Sequence, residues 1–426
     1  MEEILKSQSK LPPQQSILLS FFSVYFFFYI FPFPLGYNGN FDSISNAYNK
    51  GFTTIILWLN RIFFHHPIMT AVDNGSGDRA FNYVQVFTMA VLALIAIGIW
   101  HLFAKKKHAT QILYWLYMYV QLYLSVTLVR YGLIKAIKAQ FPFPYNGLTE
   151  TYAESSPLQL MINFMGYSTV YNAFTGTIEV LAGVLIIFRK TSLIGALIAV
   201  AAMGNVVMMN IAYDVPVKLH AIHLLLMAMF IAAPFAGRLR SLFISNAATY
   251  IQAPRLIFEY KRNSLIAGGM ILLSTLLLYS NLQRTRLKYS VYGDGAFQNT
   301  PLFGIYKINR FVKNRDTLLP LITDTLQWKT LTIVYKKRAT IKMMNDSTKL
   351  CRIVTDTSKG ILTLTDQEDT TYLGDFFYQQ PDAMHLVLNG KIKKDSVVIW
   401  LEKQDLKKFR LVNHEFHWIH ESLDTR

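Results

Sequence analysis

Seven apolar runs, each close to the roughly 20 residues a helix needs to cross hydrocarbon, fill most of the chain up to Asn281. They are Ser16–Pro34, Ala80–Phe103, Ile112–Leu133, Ser168–Phe188, Ser192–Ala212, Val217–Phe235 and Ser264–Asn281. A bilayer offers backbone amides no water, so such runs must close their hydrogen bonds internally, as helices. This pattern predicts a membrane α-helical bundle of about seven transmembrane helices. The first run reads as a span and not a signal peptide. Its apolar core is too long, and no small-residue cleavage site follows it.

Cations orient the bundle. Lys6 and Lys10 precede the first run, and Lys105, Lys106 and Lys107 follow the second. Arg189 and Lys190 follow the fourth, while Arg238, Arg240, Arg255, Lys261 and Arg262 lie between the sixth and seventh. With alternating spans all of these fall on one side, which the positive-inside rule makes cytoplasmic. The expectation is a multi-pass membrane protein with a cytoplasmic amino terminus and a carboxy-terminal domain outside. The net charge of +16 is met by anionic headgroups of the lipid bilayer at those loops. No basic stripe lies beside stacking aromatics, so nucleic acid is not an expected partner. The single cysteine, Cys351, leaves no intrachain disulfide to build on.

From Gln283 the pattern changes to short alternating segments rich in Val, Ile, Thr and Tyr. Gly304–Val312, Leu331–Lys336, Arg338–Met344, Leu350–Thr355, Ile361–Thr365, Tyr372–Tyr378, Met384–Leu388 and Val397–Glu402 read as strands. Asn345-Asp346-Ser347, Ser358-Lys359-Gly360 and Asn389-Gly390 read as turns between them. This spacing predicts an extracytoplasmic β-rich domain, a small barrel or sandwich, with the tail Phe416–Glu421 packed on it or on the membrane face. The chain thus divides into residues 1–111 (first helices and a long outer loop), 112–237 (a four-helix core), 238–282 (a cytoplasmic loop and the last helix) and 283–426 (the β domain).

Within the outer loop, Phe52–Phe64 reads as an interfacial helix, too short and too interrupted by Asn60 and Arg61 to span. Asn74-Gly75-Ser76-Gly77-Asp78 follows, with Ser76 or Asp78 placed to cap the helix that begins after it. Phe31-Pro32-Phe33-Pro34 and Phe141-Pro142-Phe143-Pro144 each end a helix, since proline cannot continue one.

Ionisable residues at bilayer depth are costly and therefore mark sites. Glu179 lies mid-span in the fourth run; Arg130 and Lys135 lie at the outer end of the third. Asn205 and Asn210 occupy the outer half of the fifth. Asp214 and Lys218 stand in the turn to the sixth, where His220 and His223, three apart, share a helix face. One reading makes Arg130 and Glu179 a buried pair locking two helices, with the asparagines as interhelical hydrogen-bond donors. The other makes the group a site. Metal binding by the histidines with Asp214 lacks any accompanying signature, and Lys218 would repel a cation. A quinone fits better: its carbonyl oxygens accept from His, Lys or Arg, and its reduction takes up protons that His and Glu can relay. Tyr114, Tyr117, Tyr119, Tyr123 and Tyr131 line the third run, as packing anchors or as an aromatic wall.

The string Arg130-Tyr131-Gly132-Leu133-Ile134-Lys135, the run from Glu179 through Gly183 to Arg189, and Asn205 through the Tyr213–Lys218 turn together resemble the DoxX-like family of bacterial membrane proteins. The resemblance implies a compact four-helix core over residues 112–235, a bacterial plasma (inner) membrane with the carboxy-terminal domain periplasmic, and a link to quinone or thiol redox systems, because some members are small subunits of quinone-coupled oxidoreductases. In the leading reading Glu179 is proton acceptor or relay with Arg130 and Lys135 as its electrostatic partners, His220 and His223 are quinone-facing, and Asn205, Asn210, Asp214 and Lys218 complete the candidate binding group. Electrons would come from a partner, such as a periplasmic redox protein, or from another outer-face donor. The long outer loop, the extra spans and the β domain depart from the minimal family pattern and imply a larger variant. The alternative is a non-enzymatic anchor or scaffold whose β domain binds an envelope protein or a lipophilic ligand.

Overall fold

The computed structural model describes residues 13–35, 42–65, 67–68, 76–103, 106–188, 190–246, 260–298, 300–367 and 371–414. The tail Phe416–Glu421, the Asn74-Gly75 part of the glycine segment, and the orienting cations Lys6, Lys10, Lys105, Arg189 and Arg255 lie outside these residues. The chain forms two compact units. The first comprises residues 1–136 and 170–285; the second comprises 137–169 and 286–426.

The first unit is helical. Its elements are α1 (Pro13–Ile30), α2 (Asp42–Phe63), α3 (Ala80–Phe103), α4 (Lys106–Ala136), then, beyond the short α5 (Pro157–Tyr167) of the second unit, α6 (Thr169–Ile187), α7 (Ser192–Ala212), α8 (Lys218–Ala232) and α9 (Ala236–Phe243). Helix α10 (Tyr260–Tyr292) completes it, running into the second unit from Arg286. Among the described residues, five helices are long and apolar enough to cross a membrane: 80–100, 112–136, 169–187, 192–212 and 218–243. That is the make-up of a multi-pass membrane protein. Two of the seven expected spans are absent from these five. The first appears as a shorter apolar stretch, Ile17–Ile30, and the last falls inside α10.

Helix α2 is longer than its apolar part suggested, beginning at Asp42, and it buries Phe52, Ile56, Leu59 and Asn60 along one face. That spacing of four, three and one residues is the stripe of an amphipathic helix packed by one face.

Helices α4 and α6 meet backbone to backbone. A Cβ on Gly132 would collide with the carbonyl oxygen of Gly176, and one on Gly176 would lie 2.5 Å from the Gly132 carbonyl and 2.7 Å from the Ala136 amide. Seven residues along each helix, Ser125 Oγ donates to the Gly183 carbonyl at 2.7 Å. Lipid tails are as apolar as leucine, so membrane helices associate through such close packing and interhelical hydrogen bonds. This seam positions the ionisable residues that lie along it.

The second unit holds a closed barrel of eight antiparallel strands. They are β1 (Gly304–Lys313), β3 (Trp328–Tyr335), β4 (Arg338–Met343), β5 (Thr348–Asp356), β6 (Ile361–Asp366), β7 (Tyr372–Gln379), β8 (His385–Ile392) and β9 (Asp395–Lys403), with a two-residue β2 (Asp316–Thr317) hairpinned onto β1. Each pairs with the next, and β9 returns to β1 (Phe311 opposite Ile399). All eight expected strands are present, and the choice between sandwich and barrel falls to the barrel. Alternating residues point inward, among them Leu331, Ile341, Ile353, Leu364, Leu388 and Ile399. The rings of Phe311, Trp328 and Phe376 meet edge-on, with centroids 6.3 and 5.8 Å apart. An eight-stranded barrel is just wide enough for side chains to fill, and these fill it.

One turn expectation is corrected. Asn389-Gly390 lies within β8, Gly390 opposite Phe376, and the turn falls at Lys393-Lys394, where Lys393 has φ 56°. Gly390 is required for close approach instead: a Cβ there would strike the Asp375 carbonyl oxygen of the neighbouring strand.

The inserted segment 137–169 is fastened to the barrel by Lys342. Its Nζ lies 3.0 Å from Glu154 Oε2 and 3.4 Å from Asp346 Oδ1. Asp294 ties the segment's other end, accepting from the Phe143 amide at 2.7 Å and pairing with Lys138 at 3.2 Å.

Candidate functional site

The turn into α8 is organised by a residue from far upstream. Asp78 accepts from the backbone amides of Lys218 at 2.7 Å and Leu219 at 2.9 Å, filling the open donors of that helix start. Gly77 donates to the Pro216 carbonyl at 2.8 Å. The sequence reading placed Asp78 as a cap for the helix that follows it; it caps α8 instead. A helix start leaves several amides without partners, and whichever carboxylate the tertiary fold brings near will take them. Asp214, at φ 50° and largely exposed, pairs with Lys218 Nζ at 2.6 Å.

One turn into α8, two histidines meet two tyrosines of α1. His223 is buried (3% exposed). Its Nδ1 is 2.6 Å from the Leu219 carbonyl, which can only accept, so Nδ1 carries the proton. In the neutral ring Nε2 is then an acceptor, and it takes the Tyr25 hydroxyl proton at 2.6 Å. Tyr29 stacks flat on the His223 ring, centroids 4.1 Å apart and planes within 5°. The Tyr29 hydroxyl also lies 3.1 Å from His220 Nδ1. Tyr25 and Tyr29 are four apart and His220 and His223 three apart, so each pair presents one face of its helix. His220 keeps its Nε2 without a hydrogen bond among the described residues. Beside it stand the Tyr131 ring, centroid 5.9 Å from that of His220, and the Arg130 guanidinium, 5.8 Å from the Tyr131 ring.

The second polar group lies on the α4–α6 seam. Lys135 Nζ donates to Glu179 Oε1, with the two side chains only 10% and 4% exposed. Glu179 Oε2 is buried without a partner among the described residues. Glu179 follows Gly176 by three residues and precedes Gly183 by four, so the contact that brings the helices together also buries the carboxylate between them.

The nine residues singled out from the sequence therefore distribute unevenly. Glu179 and Lys135 form one pair, and Arg130 stands with His220 rather than with Glu179. Asp214 and Lys218 belong to the turn below the histidines. Asn210 is buried in α7, while Asn205 is exposed and joins neither group. Three participants were not anticipated in these roles: Tyr25, Tyr29 and Asp78. Two tyrosines a turn apart in a phenylalanine-rich run were the available signal. Of the tyrosines on α4, Tyr117 donates to the Ile231 carbonyl at 2.8 Å and Tyr119 to that of Phe33; both tie helices together. Among the described residues no group of three His, Cys, Asp or Glu is placed to hold a metal ion.

Over 98 residues, 23% of its length, the chain is 32% identical to an uncharacterized protein, YwoB, of Bacillus subtilis (strain 168). The match spans 62% of that relative. No family model matches the chain, and no solved structure matches it.

Proposed function

We propose that the helical unit is the membrane component of a quinone- or thiol-linked redox system, a large variant of the DoxX-like family, and that its ligand site centres on His220. The observation that carries this reading is the His220 Nε2, without a hydrogen bond among the described residues, set beside Arg130 and Tyr131 and backed through Nδ1 by the Tyr29 hydroxyl. When Tyr29 donates to Nδ1, Nε2 carries a proton directed at whatever oxygen docks there. A lipid-phase quinone supplies two such carbonyl acceptors and two-electron, two-proton chemistry. Arg130 draws negative charge toward the same place. Tyr25 and His223, saturated by each other and by Leu219, hold the stacked rings in position. The unpartnered Oε2 of Glu179 is a second site able to take a proton, next to Lys135, which offsets its charge. The electron donor is a separate protein on the periplasmic side.

The orientation belongs to the same proposal. The inserted segment 137–169 connects α4 to α6 and forms one compact unit with 286–426, so that connection and the barrel share a side of the membrane. Positive-inside orientation makes that side the periplasm.

The test is quinone content. Purified full-length protein is extracted and its quinone quantified beside His220→Phe and Tyr29→Phe variants of equal helicity. Stoichiometric quinone in the wild type and its loss in His220→Phe support the reading. Equal content in both, or none in either, refutes it.

A second reading has its own observation. Leu319, Leu321, Ile322 and Leu326 stand 58–74% exposed in the β2–β3 loop, although that loop is held by Asp324 Oδ1 accepting from the Leu326 and Gln327 amides. An ordered loop that keeps four aliphatic side chains in water suits an envelope-protein contact. A lipophilic ligand inside the barrel does not fit, since the interior is filled with side chains.

A further inference from the structure

The chain passes between its two units at three places, 136–137, 169–170 and 285–286. The segments leaving by the first and the third meet at one carboxylate. Asp294, two residues past the end of α10, pairs with Lys138 at 3.2 Å and accepts from the Phe143 amide at 2.7 Å. Lys138 lies two residues past the end of α4, and its side chain is only 6% exposed. The backbones close on each other there: a Cβ on Gly293 would stand 3.1 Å from the Ala139 Cα. The Phe143 ring covers the Lys138 ammonium, 5.6 Å from Nζ to its centroid. Lys138 has φ 55°, in the left-handed region that a lysine rarely adopts. Such a conformation persists only where its surroundings over-determine it. Three residues earlier stands Lys135, in the last turn of α4 and paired with Glu179. The stretch 135–138 thus carries two nearly buried lysines with separate carboxylates, one from α6 and one from the approach to the barrel.

We propose that Asp294 is a positioning residue for the Lys135–Glu179 pair. By fixing Lys138 it keeps the last turn of α4 wound and holds Lys135 Nζ on Glu179 Oε1. Helix ends fray unless something ties them down, and this end is tied by a buried charge. Release of Lys138 lets the turn open, and the Glu179 carboxylate then loses its countercharge. The outer unit thereby regulates whether that carboxylate is paired. The inference deepens the role given to Glu179 above and rests on that reading only for the use made of the proton.

The test is hydrogen exchange of the full chain in phosphatidylcholine nanodiscs, wild type beside Asp294→Asn. That change keeps an oxygen for the Phe143 amide and removes the charge. Exchange over 133–138 and over 176–180, the Glu179 turn of α6, should quicken about tenfold, the worth of one hydrogen bond to a charged group. Exchange over 397–401 should stay as in wild type, which shows the barrel folded. Lys138→Gln, placed outside the barrel strands, should repeat the result and decides the matter if Asp294→Asn disturbs the barrel. In a Lys135→Met, Glu179→Leu background, Asp294→Asn should still quicken 133–138 but leave 176–180 unchanged. Faster exchange confined to 139–149, or none anywhere, overturns the proposal. So does an effect on 176–180 that survives loss of the pair, since a merely structural role would produce it. No quinone enters the measurement, so its failure and that of the quinone reading are separate results.

Discussion

Removing one half of the Lys135–Glu179 pair should cost far more than removing both. The two side chains are almost wholly buried on the α4–α6 seam, and Glu179 Oε2 has no partner among the described residues. Lys135→Met would strand a carboxylate in an apolar environment, at a cost of about 3–5 kcal/mol. Glu179→Leu alone would strand the ammonium at a similar cost, eased where the long lysine stem reaches water. Lys135→Met combined with Glu179→Leu removes both charges and their desolvation together. It should lie near wild type or above it by about 1–4 kcal/mol. The assay is a double-mutant cycle on reversible unfolding in mixed micelles, followed by circular dichroism. A Lys135→Met protein within about 0.5 kcal/mol of wild type, the range of ordinary surface changes, would refute the burial argument. The double variant also separates two roles. If it is stable yet loses the quinone-linked proton uptake proposed above, the pair is functional; if it is stable and keeps that uptake, the pair serves only to hold the helices.

Three further outcomes are expected. Asp78→Ala deletes both bonds to the α8 amides, should cost about 1–2 kcal/mol as for a lost helix cap, and should speed hydrogen exchange at residues 218–221; Asp78→Asn, which keeps an acceptor, should do less. Burial pushes the Cys351 thiol up to about 12, so a maleimide at pH 8 should leave it unlabelled in the native protein and label it once denatured. In the barrel unit, Lys329 holds the Asp346 carboxyl below its usual range, Lys342 does so for Glu154, and Lys313 for Asp395. Depressed carboxylate pKa values stabilise the fold above the ordinary values and lose that contribution as pH falls through the folded ones. Denaturant midpoints followed by tryptophan emission should therefore fall below about pH 4, and Lys342→Met should flatten the decline; a midpoint independent of pH would contradict these pairings.

Much of the architecture was legible in the residues because it depends on local periodicity. Apolar runs of membrane length could only be helices, and all eight barrel strands announced themselves through alternation and turn residues between them. Where reading failed, a local signal had a non-local cause. Asn389-Gly390 looks like a turn, but Gly390 is glycine because the Asp375 carbonyl of the next strand lies too close for a Cβ. Asp78 stands before α3 and caps α8, since the helix it satisfies is set by packing and not by neighbourhood in the chain.

The same division governs the candidate site. By itself the sequence determined that charged and imidazole groups would sit in or beside helices of membrane length, because their positions relative to the apolar runs fix their place along each helix. Which of them meet was decided only in the tertiary structure, because rotation of each helix about its axis depends on its neighbours. The glycine seam turned Glu179 toward Lys135 and left Arg130 to His220. Docking of α1 brought Tyr25 and Tyr29 onto the histidines. Closure of β9 onto β1 made a filled barrel of strands that could equally have formed a sandwich. Depth is a property of one helix; partnership is a property of the bundle.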